Sequence, residues 1–368
     1  MATGDLKTTR RRFLKIGSGL ALALPFIYIR PVHGRSADPI AGEPPEPPDP
    51  KLQPIPYAFG RAFRDNLIVR ERPTIHSPEV RRLRANEVIP IKGEVIGVGP
   101  TTYNPFWYLT DEGYVHSANV QPCNHVLNEP LSEVGEDGLW AEISVPFTEL
   151  RAAADPQARV RMLLYYGCVF RIVRLARGAD GKTWYVIADG NAGNAGLGFV
   201  PAEHLRPLTA EDFAPLSPDV PLDKKRIEVN LKAQTATAYE YDEPVFTARV
   251  ATGGKYRTPA GIVDFFTIPG EHRIFRKIAG TRMRGGTPGY DYYDLPGVSW
   301  ASFFTGSGIA FHGVYWHNDY GRPRSHGCVN MLPDQARWVF RWTMPTYPHT
   351  ARATLRTRRE EGSLVRVF

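Results

Sequence analysis

The sequence predicts a mostly β protein assembled from several small sheets. Three observations lead there. Glycine (34) and proline (33) approach a fifth of the 368 residues, a composition suited to short strands and tight turns. β-Branched and aromatic residues come in short runs bounded by turn residues, such as Val88-Ile89-Pro90-Ile91 and Trp184-Tyr185-Val186-Ile187. Few stretches hold a helical period for three turns; Asp334 to Trp342, after Pro333, is the clearest helical segment.

The length suits two or three domains, each able to bury a core. Hydrophobic residues at 42% and charged residues at 23% are ordinary for a soluble globular protein. The net charge of +7, from 45 Lys and Arg against 38 Asp and Glu, is spread along the chain. No basic stripe with interleaved aromatics occurs, which argues against nucleic-acid binding and leaves contact with an anionic polymer open.

Residues 1–37 read as an export signal. Arg10-Arg11-Arg12-Phe13-Leu14-Lys15 precedes the apolar run Ile16 to Ile29, which is shorter than the ~20 residues that span a bilayer. The paired arginines resemble a twin-arginine signal, which implies an exported protein on the periplasmic or cell-wall side of the membrane. An uncleaved signal would be its one link to a membrane. Residues 38–56 carry eight prolines among acidic residues and read as a stiff polyproline-like spacer with nothing to pack.

Residues 57–125 and 140–207 read as two small β modules. Each ends in an aromatic strand (Phe106-Trp107-Tyr108-Leu109; Trp184-Tyr185-Val186-Ile187), a glycine-containing turn, and a Gly-aromatic-Val strand. The pattern resembles the SH3-like barrels that accompany cell-wall enzymes. Its aromatics serve either wall binding or, more simply, core packing. Residues 208–221, with Pro215, Pro218 and Pro221, read as a linker.

The last module, residues 222–368, opens with alternating strands at Ile227–Leu231, Thr235–Tyr241 and Val245–Gly253, then the turn Thr258-Pro259-Ala260-Gly261. Its chemistry concentrates in His312-Gly313 and in Ser325-His326-Gly327-Cys328-Val329-Asn330-Met331. One cysteine is thus within reach of two histidines on a glycine-containing loop. Acyl transfer by a thiol needs a base, backbone N–H groups aimed at the oxyanion, and a fixed, accessible sulfur. Cys123 and Cys168 either pair as a disulfide after export or sit buried as apolar residues; either way Cys328 is left over.

These segments resemble the L,D-transpeptidase catalytic domain, a β-sandwich that would follow the two SH3-like barrels. The resemblance covers roughly residues 225–345. It implies that Cys328 attacks a carbonyl of a peptidoglycan stem peptide and that the thioester passes to an amine of a second stem, giving a 3→3 cross-link. His312 would be the base and acid, and the N–H groups of Gly327 and Cys328 the oxyanion donors. Ser325, His326, Gly313 and Asn330 would order the loop and substrate, with His326 as the alternative base. Carbapenem-type β-lactams would be covalent inhibitors, and no cofactor or metal is implied. Asn330 stands where many members carry Arg, so a guanidinium there is not expected; Arg322 and Arg324 supply positive charge nearby or are solvated loop residues.

Residues 270–310 read as a long connection rich in Gly, Arg and Tyr. A lid over the stem-peptide groove is expected, with Arg273, Arg276, Lys277, Arg282 and Arg284 facing carboxylates and Tyr290, Tyr292 and Tyr293 lining it. Three other readings remain: an L,D-carboxypeptidase with water as acceptor, a non-catalytic wall-binding protein, and a metal site built from His312, His317, His326 and Cys328, for which no paired ligand spacing is present.

Overall fold

The computed structural model describes residues 51–193 and 195–368. The signal-like segment 1–37 and the spacer as far as residue 50 lie outside the described residues. The fold takes up the chain before residue 57: Gln53 and Glu94 exchange N–H···O bonds of 2.7 and 2.9 Å.

Between residues 59 and 123 a three-stranded sheet sets Phe59–Ala62 between Val88–Pro90 and Val120–Cys123, beside a five-stranded antiparallel sheet. Leu67, Val69, Leu83, Tyr108 and Val115 share its core. Residues 139–207 form a seven-stranded sheet around Ile143, Leu150, Ile172, Ile187 and Val200. Trp107, Tyr108, Trp184 and Tyr185 are all buried, so these aromatics are packing residues and not an exposed binding face. Cys123 and Cys168 are free, buried thiols, each pushed up to about 12 by burial.

The carboxy-terminal module is a sandwich of two five-stranded sheets. One runs in the order Glu243–Arg249, Thr235–Glu240, Lys225–Asn230, Leu364–Val367, Gly270–Arg273. Its fourth strand comes from the last residues of the chain and pairs parallel with Lys225–Asn230. The other holds β1 (Arg276–Gly285), β2 (Tyr293–Phe303), β3 (Ala310–Gly313), β4 (Val329–Met331) and β5 (Leu355–Arg356), in the order β4-β3-β2-β1-β5. Ile227, Val229, Ala236 and Ala238 from the first sheet meet Ile278, Ala301, Phe311 and Val329 from the second in one core.

The expected long connection at 270–310 is mostly not a loop. β1 and β2 form a hairpin with register Arg276↔Phe303 through Gly285↔Tyr293, leaving 286–292 as the tip. Thr281, Val298 and Ser299 are interior positions of a buried sheet, which explains the run of small and β-branched residues there.

Helix α1 (Pro333–Trp342) begins with proline, whose missing N–H costs nothing in the first turn. Ala336, Val339 and Phe340 face the core. Its carboxy-terminal carbonyls are claimed by two lysines. Lys277 Nζ donates to Phe340 O (2.7 Å) and Thr343 O (2.5 Å), and Lys225 Nζ donates to Trp342 O (3.4 Å). Cations suit this end of a helix. Lys277 is fully buried and held well below the ordinary lysine range by that burial. It therefore faces the helix end, not a peptide carboxylate.

Arg61 joins the parts. Its guanidinium donates to Gln121 Oε1 (3.0 and 2.7 Å), to Asn86 Oδ1 (2.8 Å) and to the Tyr315 carbonyl (2.9 Å), and lies 4.0 Å over the Tyr165 ring. Burial lowers its pKa to about 10. Arg61→Ala strands a buried carbonyl and a buried amide, and is expected to cost about 2–4 kcal/mol, read as a lower thermal midpoint. Arg61→Lys keeps the charge without the fork and recovers only part of it. An unchanged midpoint in Arg61→Ala contradicts this joining role.

Candidate active site

β3 and β4 pair in parallel, with Phe311↔Val329 and His312↔Asn330. One step earlier this register sets Cys328 opposite Ala310, whose backbone N–H lies against the thiol. Residues two apart on a strand share a face, so His312 and Cys328 project from the same face in neighbouring rows. The structure thus brings together the two residues singled out by sequence.

His312 is buried and its Nδ1 donates to the Gly313 carbonyl at 3.1 Å, which leaves Nε2 as the unprotonated acceptor. Burial lowers its pKa to about 4, so it is neutral at neutral pH. Gly313 is required by packing: a Cβ there would sit 2.5 Å from Ser299 Oγ and 2.8 Å from Pro333 Cα. Cys328 is half-buried, with Sγ 3.7 Å from the Gly308 carbonyl, and burial pushes its thiol up to about 11.

The cysteine loop is held from both sides. Ser325 Oγ accepts from the Gly327 N–H (3.0 Å) and donates to the Cys328 carbonyl (2.5 Å). Thr267 Oγ1 donates to the Gly327 carbonyl (2.7 Å) and accepts from the Gly253 N–H (3.0 Å). Gly327 has φ +113°, a conformation that glycine adopts without strain. The Gly327 N–H, expected as an oxyanion donor, is already committed to Ser325. Because the peptide is planar and trans, fixing the Gly327 carbonyl aims the Cys328 N–H the opposite way. That leaves the Cys328 N–H as the donor this loop can present.

His326 is packed among aromatic rings and paired with Asp291. Its ring stacks on Tyr256 (4.2 Å between centroids, 20°) and lies 4.6 Å from Phe265 and 4.9 Å from Tyr293. Its Nε2 is 3.3 Å from Asp291 Oδ2, and burial lowers its pKa against the opposing pull of Asp291. Asn330 is buried against His317, 3.0 Å from Nε2. The Asp319 N–H donates to His317 Nδ1, so Nε2 carries the proton and the Asn330 carboxamide meets it best with its oxygen. Asn330 thus orders the segment between the two motifs. Among the described residues no three His, Cys, Asp or Glu side chains converge in a metal-binding arrangement.

The basic residues of the expected lid divide. Arg282 is bound to Asp294 (2.5 and 2.7 Å) and lies 3.8 Å from Asp189 of the preceding module, so it is a structural ion pair rather than a carboxylate receptor. Arg284, Tyr290 and Tyr292 are exposed at the hairpin end. Arg322 and Arg324 both bind Asp319, at 2.6 and 2.9 Å. Asp291, Thr267 and Tyr256 gave no sequence signal, because each reaches the loop from a distant stretch of chain. A cavity of about 360 Å³ lies elsewhere, between residues 147 and 204, and its polar groups pair with one another: His204 with Thr148, Trp184 with Asp180, and Lys182 with Glu203.

Residues 224–365 match the model of the L,D-transpeptidase catalytic domain family. Solved structures that this chain is similar to include the catalytic domain of the E. faecium L,D-transpeptidase, at 21% identity over 39% of this chain and 96% of that one, with a TM-score of 0.29. An L,D-transpeptidase from Mycobacterium smegmatis matches at 20% identity, over 39% of this chain and 58% of that one, with a TM-score of 0.29. L,D-transpeptidase 3 from Mycobacterium tuberculosis, in complex with a faropenem-derived adduct, matches at 17% identity, over 39% and 60%, with a TM-score of 0.29. The chain thus spans about three fifths of the mycobacterial structures. No curated protein sequence matches.

Because burial disfavours the thiolate, alkylation of Cys328 by neutral iodoacetamide is expected to keep accelerating from about pH 8 to about pH 10. Mass mapping of the modified cysteine checks this. A plateau at the ordinary thiol value contradicts the burial argument.

Proposed function

We propose that the protein is an exported peptidoglycan L,D-transpeptidase that makes 3→3 cross-links through a Cys328 thioester. The observation that carries this reading is the β3–β4 register, which sets a tautomerically fixed His312 beside Cys328 on one face of a sheet. His312 Nε2 takes the thiol proton as Sγ attacks the stem-peptide carbonyl. The Cys328 N–H faces the oxyanion, and the same proton passes to the departing D-residue amine. The amine of an acceptor stem then attacks the thioester, forming the new amide and restoring the thiol. His326 and Asp291 hold the loop, while Tyr290 and Tyr292 at the hairpin tip cover the bound peptide. Carbapenem-type β-lactams acylate the same sulfur. The arginine pair and apolar run before residue 37 support export by a twin-arginine route.

With a disaccharide-tetrapeptide substrate, wild-type protein is expected to release the terminal D-residue and form dimer, followed by mass spectrometry. Cys328→Ala abolishes both products, and His312→Ala lowers turnover by roughly 10²- to 10⁴-fold. Turnover surviving in Cys328→Ala overturns the mechanism. Free tripeptide without dimer makes water the acceptor and the protein an L,D-carboxypeptidase.

A further inference from the structure

One row across the site sheet carries an unneutralised positive charge. Register pairs Arg356 with Arg276, Arg276 with Phe303, and Phe303 with Ala310. Cys328 follows Ala310 one step before β4. Side chains paired in register face the same side, so Arg356, Arg276, Phe303, Ala310 and Cys328 share a face. The Arg276 guanidinium is laid over the Phe303 ring, 3.6 Å from its centroid. Between Phe303 and the sulfur the row carries only the buried methyl group of Ala310.

Among the described residues neither Arg276 nor Arg356 makes an ion pair, and Arg276 Nε is buried without a hydrogen-bond partner. Like charges directly opposite on adjacent strands repel, and burial followed by Arg356 lowers the Arg276 pKa. Most other arginines near the site are bound: Arg282 to Asp294, and Arg322 and Arg324 to Asp319. A planar guanidinium fork left open, backed by a second one and aligned with the thiol, is built to receive a carboxylate.

We propose that Arg276, backed by Arg356, forms an anion subsite beside Cys328 that takes the terminal carboxylate of the donor peptide's leaving D-residue. The inference rests on the transpeptidase reading, since it concerns what that thiol accepts. Backbones three strands apart are separated by roughly 14 Å. An arginine reaching over Phe303 from one side, and one amino-acid residue beyond the scissile carbonyl from the other, fill that span. The subsite would do the positioning that a guanidinium two places after the cysteine cannot do here, where Asn330 is turned to His317.

The test uses the full chain with two donors, a tetrapeptide stem ending in a free carboxylate and the same stem ending in an amide. Wild type is expected to prefer the carboxylate by roughly ten- to a hundredfold in kcat/KM, mainly through KM. In Arg276→Gln the preference collapses towards one, while turnover of the amide donor is retained; Arg276→Lys keeps part of it. Thermal unfolding of each variant is followed alongside. An unchanged preference in Arg276→Gln overturns the proposal, as does an equal loss on both donors. A shifted pH profile of iodoacetamide alkylation with an intact preference also overturns it, making Arg276 a thiolate partner instead. Wild type that turns over both donors equally removes only the subsite. Wild type that turns over neither removes the transpeptidase reading and the subsite with it.

Discussion

The parallel pairing of β3 with β4 is the constraint on which the rest of the site depends. Parallel neighbours need a crossover, commonly a helix that satisfies its own backbone. Here the crossover is the segment 314–328, which is largely buried and has no helix. Its polar backbone and side chains must find partners outside itself.

Those partners come chiefly from the first β module. Arg61 binds the Tyr315 carbonyl. Asn318 Nδ2 donates to Tyr108 OH (2.7 Å) and to the Ser117 carbonyl (3.2 Å). Arg249 ties the Tyr320 carbonyl (2.7 Å) to the Tyr103 carbonyl (2.9 Å) and lies over Phe106. The Arg324 N–H and the Ser325 N–H both donate to the Thr252 carbonyl, at 2.7 and 2.8 Å, which carries the same support to the edge of the cysteine loop. An amino-terminal module that reads from sequence as an accessory is therefore part of the scaffold that sets the spacing of His312 and Cys328.

What the sequence made legible was local. His312, Ser325, Gly327 and Cys328 sit in two short motifs whose residue types already imply a thiol, a base and a tight turn. The strands from Ile227 to Thr252 alternate cleanly because one face meets the core and the other does not. Asp291 and Thr267 were opaque as site residues because they reach the cysteine loop from stretches of chain 35 or more residues away. Lys277 was misread for a physical reason: a lysine in a basic stretch ordinarily points to water, and only a helix end arriving from residue 343 makes its burial tolerable. The length of 270–310 suggested a loop because alternation is lost where both faces of a hairpin are covered.

The electrostatics of the resting site follow from the same burial. His312 is pushed down to about 4 and Cys328 up to about 11, each because a charge there would lose its water. The empty site therefore favours a neutral thiol beside a neutral imidazole, and a standing ion pair is disfavoured. Moving the proton creates two charges at once, whose mutual attraction in a dry site offsets part of the cost of each. In the proposed reaction negative charge leaves the sulfur as it adds to the carbonyl, and the peptide whose carbonyl Thr267 fixes would turn its N–H towards that charge. Proton transfer is thus easiest when a carbonyl is already in place to receive the electron pair. A thiol held this way is guarded against adventitious reaction while the site is empty, and under the proposed mechanism it would gain its nucleophilicity only once a peptide carbonyl is in place.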